Sequence, residues 1–275
     1  MNKMLRVAVG GGGSADWCNV SAASYDSVSF SVSSQEPFSS GVSFKPDGTK
    51  MYVVGFFTNS VYQYTLSTTW DVSTASYDSV SFDVSSQEGS TRCVAFKPDG
   101  SKMYVVGGAS DSVHQYTLST AWDVSTASYD SVSFDVSSQD SAPRGVAFKP
   151  DGTKMYMVGV SSDEVHQYTL STTWDLDTAS YDSVSFSVQS QEPFPSGVAF
   201  KPDGTKMYMV GYSNDSVHQY TLSTTWDVST ASYDSVSFDV SSQDSAPKTV
   251  AFKPDGTKMY VIGSSRSVHQ YTLTC

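Results

Sequence analysis

A chain of 275 residues with a formal net charge of -12 at pH 7 repels phosphate backbones and anionic headgroups, which excludes nucleic acid and membrane surfaces as partners. Its hydrophobic content of 39% suffices for a sizeable core, yet no apolar run approaches the roughly 20 residues that span a bilayer, so no membrane insertion is expected. Residues 1–9 carry Lys3 and Arg6 among few apolar positions, too short and too charged for an export signal.

In chain order, residues 1–16 contain the run Gly10-Gly11-Gly12-Gly13-Ser14 and read as a flexible arm or linker. The alternation of Leu5, Val7 and Val9 would also suit an added edge strand. Residues 17–275 form one repetitive domain. The lysine of a Lys-Pro-Asp-Gly turn recurs at Lys45, Lys97, Lys149, Lys201 and Lys253, a constant spacing of 52 residues. A fixed period of this kind marks a repeat architecture, in which each unit buries its apolar face against its neighbours.

Within the first full unit, residues 41–44 read as a short strand, and Lys45-Pro46-Asp47-Gly48-Thr49 as a tight turn in which proline presets φ and glycine accepts positive φ. Three more strands follow at 50–54, 61–66 and 77–84, the last with Val80, Phe82 and Val84 on one face. Nothing sustains a helical period. Five four-stranded meanders predict an all-β fold, a five-bladed β-propeller whose blades protect their edges by closing into a ring.

The segment Val94-Ala95-Phe96-Lys97-Pro98-Asp99-Gly100-Ser101-Lys102-Met103-Tyr104-Val105-Val106 resembles the strand-turn-strand signature of YVTN and lactonase-like propeller blades. The resemblance covers about half of each unit, in all five units. It departs from that group in unit length, which exceeds the roughly 40–45 residues common for blades, and in the Trp-Asp-Val-Ser-Thr-Ala-Ser-Tyr segment. Five blades also resemble the tachylectin-like lectins, in shape only.

The chain begins and ends out of phase with a whole blade. It stops after the third strand of the fifth unit, while residues 17–32 supply a spare copy of the fourth, so the N-terminal strand is expected to complete the last blade. Repeat alignment puts Cys18 and Cys275 three positions apart within one reversal, close enough for a disulfide between the two ends. Cys93 falls where other units carry glycine or threonine and reads as a small buried filler.

His114, His166, His218 and His269 occupy equivalent positions about a blade width apart, too far for one zinc ion, so inter-blade packing is the expectation. The aspartates read as turn formers and strand acids. No metal, cofactor or catalytic residue is predicted, because near-identical units do not easily supply an asymmetric acid, base and nucleophile. One face of the ring is uniform, carrying the Lys-Pro-Asp-Gly turns and tryptophans. The opposite face varies between units and supplies the candidate ligand-binding residues Glu36, Phe38, Arg92, Asp140, Arg144, Glu192, Phe194 and Lys248. The expected function is non-enzymatic recognition of glycans or a protein surface with avidity. Cysteine pairing would place the chain outside the cell or on a virion. The alternatives are a structural subunit forming homo-oligomers through its N-terminal arm and, third, a lactonase-like hydrolase.

Overall fold

The computed structural model describes residues 17–274. The expected arm at 1–16 lies outside the described residues, as does Cys275 and with it the expected Cys18–Cys275 bond. The N-terminal strand β1 spans Ala23–Ser31. The first blade follows as β2 (Ser39–Phe44), β3 (Lys50–Gly55), β4 (Ser60–Leu66) and β5 (Ala75–Asp83). The second contains β6 (Thr91–Phe96), β7 (Lys102–Gly107), β8 (Ser112–Leu118) and β9 (Ala127–Asp135), and the third β10 (Pro143–Phe148), β11 (Lys154–Gly159), β12 (Glu164–Leu170) and β13 (Ala179–Ser187). The fourth contains β14 (Pro195–Phe200), β15 (Lys206–Gly211), β16 (Ser216–Leu222) and β17 (Ala231–Asp239), and the fifth β18 (Pro247–Phe252), β19 (Lys258–Gly263) and β20 (Ser267–Leu273). The fifth sheet takes its outer strand from the start of the chain, in the order β1-β20-β19-β18. The propeller is therefore closed as the out-of-phase ends require.

The turn after each inner strand is built by its own residues. Asp47 Oδ1 accepts from Thr49 N at 2.9 Å and Thr49 Oγ1 at 2.6 Å, Lys45 pairs with Asp47 at 2.8 Å, and Gly48 takes φ +73°. The outer strand departs from simple alternation. Tyr64 pairs with Tyr77 but Gln63 pairs with Val80, so Asp78 and Ser79 bulge, with Ser79 at φ 59°. The bulge swings Asp78 inward to accept from Lys50 Nζ at 3.0 Å and Gln63 Nε2 at 2.9 Å. The second aspartate set thus anchors the outer strand to the lysine of the second strand.

Both faces of each blade are buried, because every blade is sandwiched between two others. Tyr52, Val54 and Val61 of the first blade pack on Met103, Val105 and Tyr116 of the second. Fully burying side chains of this size is worth about 1.5–3 kcal/mol each. Polar stitches repeat across the seams. Tyr52 Oη donates to Trp122 O at 2.7 Å, and Gln63 Oε1 accepts from Val124 N at 3.1 Å. The last seam carries the same stitch, Val20 N donating to Gln219 Oε1 at 3.0 Å.

Candidate functional site

The inner strands β2, β6, β10, β14 and β18 stand side by side around the ring axis. Each carries one irregularity. Ser39 pairs with Gly55 and Gly41 with Val54, so Ser40 has no cross-strand partner. Arg92, Arg144, Ser196 and Lys248 are skipped in the same way. A bulged residue leaves the ladder and its side chain is re-aimed. Three of the five are cations from different blades, and they come close enough to act on one another. Lys248 is influenced by both Arg92 and Arg144, and Arg92 by Arg144 and by Tyr212 of the fourth blade.

Burial first, then the Arg144 charge, pushes the Arg92 guanidinium down to about 10. Burial likewise pushes the Lys248 ammonium down to about 8, with Arg92 and Arg144 adding to the fall against Asp244 and Glu36. The Arg92 guanidinium lies 4.2 Å from the centre of the Phe56 ring and Lys248 Nζ 5.2 Å from the same ring, so both cations interact with one π system. Nε of Arg92 and of Arg144 is buried without a hydrogen-bond partner. Among the described residues no carboxylate forms an ion pair with Arg92, Arg144 or Lys248, whereas the other lysines each pair with an aspartate.

Below this mouth the axis narrows at Gly41, Cys93, Gly145, Gly197 and Thr249. A Cβ on Gly145 would fall 2.7 Å from Ser196 O and one on Gly197 2.7 Å from Lys248 O, so the inner strands approach as closely as glycine permits. Thr249 Oγ1 donates to Ser40 O at 2.9 Å and seals its sector. Beyond the waist, toward the uniform face, a cavity of about 300 Å³ is walled by Val42, Phe44, Phe96, Phe200 and Phe252. Its single ionisable wall residue is Cys93, whose thiol burial pushes up to about 11. The cations at the axis therefore lie at the mouth on the varied face, apart from this apolar cavity.

The acids predicted for this face play a different part. Glu36, Asp140 and Glu192, with Glu88 and Asp244, are almost fully buried. Asp140 accepts from Ala142 N at 2.8 Å and Ser162 N at 2.9 Å, tying the loop before the inner strand to the loop after the second. Glu192 does the same with Phe194 N at 3.0 Å and Asn214 N at 3.1 Å, and Glu36 with Phe38 N at 2.9 Å and Thr58 N at 3.1 Å. These carboxylates clamp the loops from below. Phe38 and Phe194 are 44% and 46% exposed, and Phe194 stacks on Tyr212 at 5.3 Å and 17°. Phe56, Tyr212 and Ser40, from the stretches that differ between units, complete the mouth.

The histidines are packed at the blade seams. Ser110 Oγ donates to Glu88 Oε2 at 2.6 Å and lies 2.9 Å from His114 Nε2, which then carries the proton. Asp140-Ser162-His166 and Asp244-Ser265-His269 repeat the arrangement. The hydroxyl sits between acid and imidazole, the reverse of a nucleophile-activating order. Nδ1 of all four histidines is buried without a partner, and desolvation lowers their affinity for a proton. Unfolded histidine takes up a proton near 6.5 while the folded ring resists it, so stability present above that pH is lost as pH falls below it. Thermal unfolding is expected at lower temperature at pH 5.5 than at pH 7.5. Replacing the four histidines by tyrosine, as Tyr62 already stands in the first blade, is expected to flatten that slope. An unchanged slope would assign the acid sensitivity elsewhere.

No curated protein matches the chain. Among solved structures, it is similar to a "functionally unknown protein from Desulfotomaculum acetoxidans DSM 771" at 15% identity and TM-score 0.50, over 82% of this chain and 62% of that one. A "putative 6-phosphogluconolactonase from Bacteroides uniformis ATCC 8492" matches at 12% identity and TM-score 0.52, over 81% of this chain and 63% of that one. The chain thus spans under two thirds of either structure's length, and at such identity the likeness is one of fold. Residues 93–273 match the family described as "Lactonase, 7-bladed beta-propeller". That match overturns the expectation of a non-enzymatic module, which rested on the sameness of the repeats; the physical reason it failed is that equivalent positions converge at the axis, where Ser, Arg and Lys replace one another. With five blades of four strands around a cationic mouth, the chain belongs to the Lactonase, 7-bladed beta-propeller family.

Proposed function

We propose that the chain is a hydrolase of the lactonase class that takes a small anionic lactone, or releases its ring-opened acid, at the cationic mouth on its varied face. The observation that carries this reading is the meeting of Arg92, Arg144 and Lys248 without a carboxylate partner in a protein of net charge -12. Partly buried, unpaired cations are costly, and an incoming anion offsets that cost. Negative charge that develops on a lactone carbonyl oxygen during attack by water would be stabilised by the same guanidinium groups. Family membership supports the reaction class, and the mouth supports the sign of the substrate's charge.

A second reading has one observation in its favour. The Phe194–Tyr212 stack, with Phe38 beside Phe56, offers exposed rings on which a neutral sugar could stack. These rings occur on two blades of five, so avidity from five equal sites is not part of it. Calorimetric titration separates the readings. Citrate is expected to bind the intact chain, and the Arg92→Gln/Arg144→Gln double variant to bind it at least about 100-fold more weakly, from about 1.5–3 kcal/mol for each of the two charged hydrogen bonds lost. Equal citrate affinity in both proteins would overturn the anion reading. Binding of neutral oligosaccharides that is lost in Phe194→Ala would favour the second.

A further inference from the structure

Ten of the eleven lysines in the described residues are held as ammonium ions by aspartate. Lys45, Lys97, Lys149, Lys201 and Lys253 pair with the turn aspartates at 2.7–2.9 Å. Lys50, Lys102, Lys154, Lys206 and Lys258 pair with the bulge aspartates at 2.6–3.0 Å. Lys248 alone has no such partner. Its Nζ donates to Ser39 O at 3.0 Å, faces the Phe56 ring, and shares the mouth with Arg92 and Arg144. Of the three cations there it is the one that can lose its proton, since guanidinium stays charged at any working pH. A lysine beside other cations and partly out of water is the arrangement that frees an amine lone pair near neutral pH.

We propose that Lys248 is a carbonyl-reactive amine that forms an imine with small anionic aldehydes and 2-oxo acids held at the mouth by Arg92 and Arg144. The proposal rests on the reading that the mouth takes anions. The neutral Nζ attacks the carbonyl carbon, and the resulting carbinolamine loses its oxygen as water, with both amine protons leaving in that water. No oxidant or reductant takes part. The same lone pair could accept the proton of a water molecule attacking a lactone, so one geometry serves both reactions. The groups that set its protonation are Arg92 and Arg144, which disfavour the ammonium form, and Asp244 and Glu36, which favour it; burial tips the balance toward the amine. Imine formation is accordingly expected to rise through pH about 8.

The test treats the folded protein with glyoxylate and borohydride and locates the reduced adduct by peptide mass spectrometry. Labelling is expected at Lys248 at least tenfold faster than at any other lysine, absent in Lys248→Arg, and slowed at least tenfold in Arg92→Gln/Arg144→Gln. Propanal, an uncharged aldehyde, is expected to label Lys248 poorly. Labelling spread evenly over the lysines, or equal labelling by propanal and glyoxylate, would overturn the proposal. Citrate titration of the same samples keeps the two readings apart. Citrate binding without a selective adduct rejects the reactive amine and leaves the anion site, whereas loss of both rejects the two together.

Discussion

A chain lacking residues 1–32 is expected to lose cooperative folding, because the ring then has no outer strand for its last blade. β1 pairs with β20 from Ala23–Leu273 to Ser31–Ser267. Asp26 accepts from Lys258 Nζ at 2.6 Å and Gln270 Nε2 at 2.9 Å, a bond set that the truncation leaves without its acceptor. Val20 lies in the cluster between the fourth and fifth blades, and Val28, Phe30 and Val32 in the one between the fifth and first. At about 1.5–3 kcal/mol for each fully buried apolar side chain, the loss is comparable with the roughly 5–15 kcal/mol that holds a domain folded. Calorimetry and near-ultraviolet circular dichroism would follow the transition, with a chain lacking only residues 1–16 as the control. A synthetic peptide of residues 17–32 added to the truncated chain is expected to restore the transition by strand addition. A truncated chain that melts within a few degrees of the control would mean that four complete blades and a three-stranded one are already self-sufficient.

Ring closure was legible because it depends on counting. The constant spacing of the lysines set the number of units, and the spare strand within residues 17–32 named the partner of β20. The bulges were hidden, since alternation assumes a period of two and a skipped residue such as Arg92 or Ser79 looks like any other. That loss matters for function, because the inner bulge is what turns Ser40, Arg92, Arg144, Ser196 and Lys248 toward the axis. The three cations were visible as differences between units, but their meeting required the ring. The buried acids were misplaced for a different reason: a loop acid is ordinarily solvated, and Glu36, Asp140 and Glu192 lie in loops of otherwise variable sequence. Their signal was positional. Gln35-Glu36, Gln87-Glu88, Gln139-Asp140, Gln191-Glu192 and Gln243-Asp244 keep an acid at one repeat position while the residues after it change, as a clamp must.

Gly152→Ala is expected to destabilise the protein by about 2–5 kcal/mol, and the cause lies at one contact repeated around the uniform face. Gly152 takes φ +74°, a region that costs an L residue roughly 1–2 kcal/mol. A Cβ there would fall 2.2 Å from Trp174 Nε1 and 2.3 Å from its Cδ1. The indole has nowhere to go. It is buried against Phe148 and Tyr104 at centroid distances of 5.4 and 6.1 Å, and Trp174 O accepts the Tyr104 hydroxyl at 2.7 Å across the seam. Overpacking of this kind adds roughly 1–3 kcal/mol. For a chain of this size each kcal/mol lowers Tm by about 2–4 °C, so a fall of about 5–20 °C is expected. Gly89→Ala is the matched control: its nearest neighbour to an added Cβ is Ala109 Cβ at 3.7 Å, and a surface change of that kind is expected to stay within about 0.5 kcal/mol. Equilibrium denaturation of both variants decides the matter. If Gly152→Ala unfolds at the same denaturant concentration as Gly89→Ala, the tryptophan does not depend on a bare glycine, and the seam between neighbouring blades must be held by the apolar clusters and the glutamine bridges instead.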